Sequence, residues 1–222
     1  MKTPLISTLA AIIAASALFS ASTIYADDDG MRRYAVTITN LTRGQIFSPP
    51  AVIAHNRDFH LFTLGSAASA ELATLAEEGA ASSLLSTVSG LPSVYRTVLG
   101  SGGIMPGASR TIEIETSGKF SNISVASMLV STNDAFMAVR GVVAPQRGII
   151  SVDAEAYDAG SEANSESCAF IPGPPCGNHI HDPAAAEGYV HVHAGIHGGS
   201  GLTPATHDWR NPVAQIEIKR ID

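Results

Sequence analysis

Six of the eight histidines in this sequence lie between His179 and His207, and this concentration suggests metal chemistry. The segment YVHVHAGIH carries three of them, His191, His193 and His197, within seven residues. If YVHVH is a strand, His191 and His193 lie on the same face, because side chains alternate along an extended chain. Three neutral imidazoles at this spacing are a ligand set for copper or zinc. The alternative interpretation is that these side chains hydrogen bond to their neighbours or to Asp208 without a metal.

A second candidate metal site is the acidic loop YDAGSE, in which Asp158 and Glu162 stand four residues apart. Asp134, in the earlier turn STND, reaches the same place if its strand neighbours this loop. Ca²⁺ binds about six to eight oxygen atoms, and carboxylates on flexible loops supply them. The residues therefore predict a Ca²⁺ site at Asp134, Asp158 and Glu162. The alternative interpretation is a solvated acidic loop that holds no ion.

Catalytic motifs are hard to find in this chain, so we predict a binding protein and not an enzyme. The sequence has no G-x-S-x-G motif and no P-loop, and no catalytic or organic-cofactor residue is predicted. The run Tyr189–His193 resembles the histidine-x-histidine strand of copper–zinc superoxide dismutases, which keeps metal redox activity as an alternative. The net charge of −7 argues against nucleic acid as a partner.

Residues 1–26 have the features of a secretory signal peptide. Lys2 gives a positive start, an apolar run from Leu5 to Ser20 follows, and cleavage is predicted near Ala26. A membrane anchor is the alternative, but the apolar run is short for a span of about 20 residues. We expect a secreted or periplasmic protein without a transmembrane segment in the mature chain. In such a compartment Cys168 and Cys176 are expected to form a disulfide, with two thiolate metal ligands as the alternative.

Residues 27–222 have the length of a single domain, and their pattern predicts an all-β protein. One clear helix is predicted near residues 66–79, where Ser66 or Ser69 is the N-cap and Gly79 the end, and a weaker helical pattern follows near residues 82–88. Residues 91–106 are predicted to be loop. Short alternating strands between turn residues favour an antiparallel β-sandwich around the inserted helix. The predicted strands are 33–40, 51–55, 59–62, 111–116, 122–130, 135–139, 148–152, 189–193 and 213–219.

Several segments, in order, resemble the spondin domain in its bacterial exported form. They are the helical stretch from Phe62 to Gly79, the run STNDAF, the loop YDAGSE and the ending DWRNPVA. The resemblance extends from about Tyr34 to Ile218.

The resemblance to spondin domains implies a C2-like β-sandwich with Ca²⁺ at one end. It also implies an adhesion or surface-interaction role with a cell-surface or matrix partner. By the same resemblance, Asp158 matches the first acidic ligand of the family's loop, and Asp134 matches the ligand from the preceding strand end. Glu162 stands where that pattern has a second Asp. The alternative function is a periplasmic copper- or zinc-binding protein that uses the histidines from His179 to His207.

Overall fold

The structure is a computed structural model, and it describes residues 30–222. The predicted signal peptide and its cleavage position lie outside the described residues. Every strand pair in the described part is antiparallel. The strands are β1 (Arg32–Asn40), β2 (Ala51–His55), β3 (Val94–Leu99), β4 (Ser109–Thr116), β5 (Asn122–Met128), β6 (Ala135–Val143), β7 (Ile149–Asp158), β8 (His191–Val192) and β9 (Ala214–Arg220).

The strands follow the order β3-β2-β5-β6-β7-β9-β1-β4, and β8 pairs with the end of β7. The two outer strands of this order approach each other, since Arg96 of β3 forms an ion pair with Glu115 of β4 at 2.5 Å. The sheet therefore curls almost into a barrel. The predicted all-β antiparallel fold of sandwich type is confirmed.

The main core lies inside this curled sheet and follows from the alternation of apolar residues. In β1 the side chains of Tyr34, Val36 and Ile38 are buried, and the residues between them are partly exposed. Strand β5 is buried along its whole length, as its apolar sequence predicts. The inward side chains of both halves of the curled sheet belong to one cluster.

A pair of helices covers the outer face of β2, β5 and β6. Helix α1 (Ala70–Glu78) begins at Ser69, whose Oγ accepts a hydrogen bond from the Leu72 N–H at 3.2 Å, and it ends at Gly79 in the left-handed region. Helix α2 (Ala81–Ser89) follows directly, and α3 (Pro204–His207) is a single turn. The helix predicted near residues 66–79 is therefore α1, and the weaker helical pattern predicted near residues 82–88 is a second helix, α2, which follows Gly79. Their inward leucines form a second buried cluster with the aromatic rings of the sheet.

Four predicted elements differ from the structure, and the last of them is the strand predicted over residues 148–152, which extends to Asp158 as β7. Residues 59–62 form no strand, and Phe59, Leu61 and Phe62 instead cover the second buried cluster from a loop. Strand β3 lies inside the segment predicted to be loop, and the predicted strand 189–193 is reduced to His191–Val192. A short apolar run does not distinguish a strand from a buried loop, which accounts for the first error.

Cys168 and Cys176 form the predicted disulfide, which closes a short loop after β7. None of the helices within residues 30–222 has the length and apolarity that a bilayer crossing requires.

Candidate metal centre

Three strand ends meet at one edge of the curled sheet. Asp134 directly precedes β6, and the ladder pairs the next residue, Ala135, with Asp158 at the end of β7. On its other side Asp158 is paired with His191 of β8. The antiparallel register therefore brings the two predicted aspartates and one predicted histidine together.

Asp134 is fully buried, and only one of its two carboxylate oxygens accepts hydrogen bonds. Oδ2 accepts hydrogen bonds from the backbone N–H groups of Ser161 at 2.8 Å and Glu162 at 3.0 Å. Oδ1 has no hydrogen-bond partner within the described residues. Burial, followed by the negative charge of Asp158, raises the pKa of Asp134 from 3.8 to about 8. The uncompensated oxygen makes this carboxylate costly to keep charged.

Asp158 is also buried, and burial raises its pKa as well. Its Oδ1 accepts a hydrogen bond from the Gly160 N–H at 2.7 Å, and its Oδ2 accepts one from Asn164 Nδ2 at 2.5 Å. No arginine or lysine within residues 30–222 forms an ion pair with Asp134 or Asp158. Two neighbouring buried carboxylates are thus left without a cationic side chain.

Glu187 is a third acidic residue at this place, and it was not among the predicted ligands. The same Nδ2 atom of Asn164 that contacts Asp158 also lies 3.3 Å from Glu187 Oε1. The charge of Glu187 contributes to the raised pKa of both Asp134 and Asp158. Glu187 is exposed, so this carboxylate faces solvent at the rim of the buried pair. No local spacing relates Glu187 to Asp158, and the contact arises from the fold alone.

Glu162 enters the site through its backbone and not through its carboxylate. Its N–H binds Asp134, whereas its Oε1 accepts a hydrogen bond from the Asp182 N–H. Burial and the charge of Glu77 raise the pKa of Glu162. The side chain therefore faces helix α1, where His181 also lies, 2.7 Å from Glu77.

Gly160 holds the acidic loop against the segment that carries Glu187. Its φ is +64°, and an added Cβ would lie 2.3 Å from the Tyr189 carbonyl oxygen. The Gly160 carbonyl oxygen accepts a hydrogen bond from the Gly188 N–H at 2.8 Å. This close backbone approach requires glycine and fixes the distance between the two segments.

His191 and His193 both face Asp158, each with a ring nitrogen 3.8 Å from one of its oxygens. Their position on one face is the arrangement that alternation predicted. Burial lowers the pKa of His193 to about 4, so this imidazole is neutral near pH 7. Its Nδ1 accepts from the Gly195 N–H at 2.9 Å, which assigns the ring hydrogen to Nε2, 3.1 Å from Asn164 Oδ1. Both nitrogens of His193 are therefore occupied by protein groups.

The other histidines do not join this pair. The His197 side chain is 74% exposed and lies beside Glu166, and His207 hydrogen bonds to the Thr203 backbone. His181 contacts α1. Within residues 30–222, no three or more His, Cys, Asp and Glu side chains form an arrangement ready to hold a metal ion. The copper or zinc site at His191, His193 and His197 and the Ca²⁺ site at Asp134, Asp158 and Glu162 both remain predictions that this geometry does not assemble.

The donor chemistry at this edge fits a hard divalent cation. The available groups are carboxylate oxygens from Asp134, Asp158 and Glu187, and Asp134 Oδ1 is a buried acceptor without a partner. Ca²⁺ binds oxygen donors of this kind and completes its shell with backbone carbonyls and water. Both charge and donor type therefore suit Ca²⁺ better than a metal that prefers nitrogen or sulfur.

Comparison with protein families gives a match to the family model described as Spondin_N over residues 39–165. The matched segment is more than half of the chain and includes Asp134, Asp158 and Glu162. Glu187, His191 and His193 follow it. A search of curated proteins finds no match for this sequence.

Proposed function

The chain belongs to the Spondin_N family, and from this premise we propose that it is an exported calcium-binding module with an adhesion or surface-interaction role. Export is supported by the signal-peptide features of residues 1–26, and the family is associated with extracellular proteins. The adhesion role is supported by the family resemblance.

The observation that carries the calcium proposal is the buried, unpaired Oδ1 of Asp134 beside the buried carboxylate of Asp158. A carboxylate charge buried here without a counter-charge costs several kcal/mol, and the raised pKa of Asp134, about 8, reflects that cost. A single divalent cation carries enough positive charge to offset both carboxylates. This role for a cation accounts for an arrangement that would otherwise destabilise the fold.

The proposed ligands are the carboxylates of Asp134, Asp158 and Glu187. Asn164 positions two of them, since its Nδ2 contacts both Asp158 and Glu187, and His193 in turn contacts Asn164. Bound Ca²⁺ supplies positive charge at the sheet edge. It also stabilises the folded state by mass action, because the separated ligands of an unfolded chain bind it weakly.

A partner would meet this edge beside the acidic residues. Tyr189 and Val192 are 45% and 48% exposed, and they flank His191 at the rim. Large exposed apolar side chains next to an ion site give a surface with both polar and apolar contacts. Such a mixture is typical of protein interaction surfaces.

Calcium titration of untagged, EDTA-treated protein tests the proposal. Ca²⁺ at about 1 mM is expected to raise the melting temperature by several degrees, and Mg²⁺ to raise it less. Glu187→Gln is expected to weaken Ca²⁺ binding about tenfold in calorimetry, whereas Glu162→Gln leaves the affinity unchanged. Asp153→Asn, an exposed change on the same strand β7, is the matched control. A melting temperature that does not respond to Ca²⁺ contradicts the proposal.

A further inference from the structure

A pocket lies on the outer face of the sheet, where the pairing of the strands is irregular in two places. The β2–β3 register shifts between Ala54 and His55, and the β5–β6 register shifts between Ile123 and Val125. Gly141 of β6 has a φ of +65° at the same place. Bulges redirect side chains and are frequent next to binding sites. Here they surround a pocket of about 360 Å³.

A buried polar network fixes the floor of this pocket. His55 Nδ1 lies 2.7 Å from the Asn56 carbonyl oxygen, so this nitrogen carries the ring hydrogen. His55 Nε2 then accepts from the hydroxyl of Ser124 at 2.8 Å, and Ser124 Oγ accepts from the Gly141 N–H at 2.8 Å. Burial lowers the pKa of His55, which keeps the ring neutral. The network is fully satisfied and holds both bulges in place.

The two charged residues at the mouth of the pocket are arginines. Arg57 and Arg140 line it beside His60, and among residues 30–222 no acidic side chain does. Neither arginine forms an ion pair with a carboxylate of the described chain, in contrast to Arg33 and Arg96, which are both paired. The two arginines give this pocket a positive charge, although the net charge of the protein is −7.

Arg140 is held by aromatic rings at the rim of this pocket. Its guanidinium carbon lies 4.8 Å from the centre of the Phe62 ring and 5.7 Å from the centre of the Tyr157 ring. Arg140 also hydrogen bonds to the Tyr157 hydroxyl, which donates to Glu155 Oε2 at 3.2 Å. These contacts restrict the side chain without forming an ion pair. The guanidinium therefore remains able to bind an oxyanion, and less conformational entropy is lost when it does so.

We propose that this pocket binds a small organic anion with an oxyanion head and a planar apolar body. Arg57 and Arg140 hold the carboxylate, phosphate or sulfate head, and Phe59 and Phe62 contact the body. The volume suits a ligand of one or two rings. The site does not depend on the proposed calcium function, since none of its residues is a proposed calcium ligand.

Binding of simple aromatic anions to the full mature protein tests this proposal. Benzoate, phenyl phosphate and phenyl sulfate are titrated by NMR, with benzyl alcohol as the neutral analogue. At least one anion is expected to shift the backbone signals of Phe62 and Arg140 and to bind about tenfold or more tightly than benzyl alcohol. The preferred head group then separates carboxylate ligands from phosphate and sulfate esters.

Charge-removing variants locate the site. Arg57→Gln and Arg140→Gln are each expected to weaken binding about tenfold. Arg147→Gln, which removes the same charge from an exposed position outside the pocket, is expected to leave it unchanged. Arg57 makes no cation–π contact within the described part of the chain, so its variant keeps the test valid if Arg140→Gln disturbs the packing. Equal binding of benzyl alcohol, equal loss in Arg147→Gln, or no binding of any probe anion overturns the proposal.

Discussion

Replacing Asp134 by asparagine is expected to stabilise the calcium-free protein at high pH and to abolish its response to calcium. The amide oxygen of asparagine keeps the hydrogen bonds from the N–H groups of Ser161 and Glu162. The amide nitrogen then replaces the unpaired Oδ1 and removes one of two buried negative charges. The two effects have opposite consequences for the calcium-free and calcium-bound states.

The magnitude follows from the raised pKa of Asp134, about 8 in the folded state against 3.8 for an ordinary carboxyl. Because the folded pKa is the higher one, the contribution of the protonated group is fully present below pH 3.8 and is lost as the pH rises through 8. The whole shift corresponds to about 6 kcal/mol, of which Asp158 shares a part through coupling. We therefore expect Asp134→Asn to raise the free energy of unfolding by about 3 kcal/mol near pH 9 in EDTA.

Urea unfolding followed by fluorescence of Trp209 measures this effect, since Trp209 is the single tryptophan, is buried and lies against His193. The wild type is expected to lose stability from about pH 4 to pH 8 in EDTA, and the variant to lose much less. Asp153→Asn serves as the exposed control on β7.

Three outcomes of this experiment would test separately the cost of the buried charge, the calcium site and the role of Asp134 as a ligand. A variant less stable than the wild type at high pH in EDTA refutes the argument that the buried charge is costly. A variant that is more stable, in a protein whose wild type ignores Ca²⁺, supports the buried pair and refutes the calcium site. A variant that still gains stability from Ca²⁺ removes Asp134 from the ligand set.

Two further changes test local features of the fold. Ser69→Ala removes the N-cap of α1 and is expected to lower the free energy of unfolding by about 1 kcal/mol in urea, with no change in calcium affinity. Gly160→Ala places a Cβ against the Tyr189 backbone and is expected to cost more than about 2 kcal/mol. Gly118→Ala, which has a positive φ but open space around it, measures the backbone strain without the clash. Equal costs for the two glycine variants would show that the clash is unimportant.

The approach of Asp134 to Asp158 was predicted on the condition that the strand beside Asp134 neighbours the acidic loop, and the pairing of Ala135 with Asp158 meets that condition. Antiparallel neighbours bring the ends of consecutive strands together in this way. Alternation likewise placed His191 and His193 on one face. These inferences needed only the local period and the order of the strands.

The role of Glu187 was not predictable, because it depends on contacts between distant segments. The approach of Gly160 to Tyr189 brings Glu187 near Asp158, and nothing in the spacing encodes it. Glu162 shows the opposite case, since its spacing was suitable but its side chain turns to Asp182. The position of a residue in a loop predicts the place of its backbone N–H better than it predicts the direction of its side chain.

Strand β3 was missed for a related reason. The run VYRTVL has strong β propensity, but Gly, Ser and Pro surround it and made the whole region look like loop. Its place beside β2 is set by non-local pairing. Similarly, the apolar residues near Phe59 and Phe62 serve the cluster under α1 and α2, a role that no strand period reveals.

Strand β7 has a mechanical consequence because it pairs with different neighbours along its length. Its end at Asp158 pairs with β6 and β8, whereas the part from Ile149 to Ala154 pairs with β9. A pulling force applied at the acidic edge would run along β7 and load the β7–β9 hydrogen bonds in shear. These bonds are perpendicular to the strands, so they would resist together and not open one after another. The same strand that presents Asp158 is thus anchored in the part of the sheet best placed to bear tension.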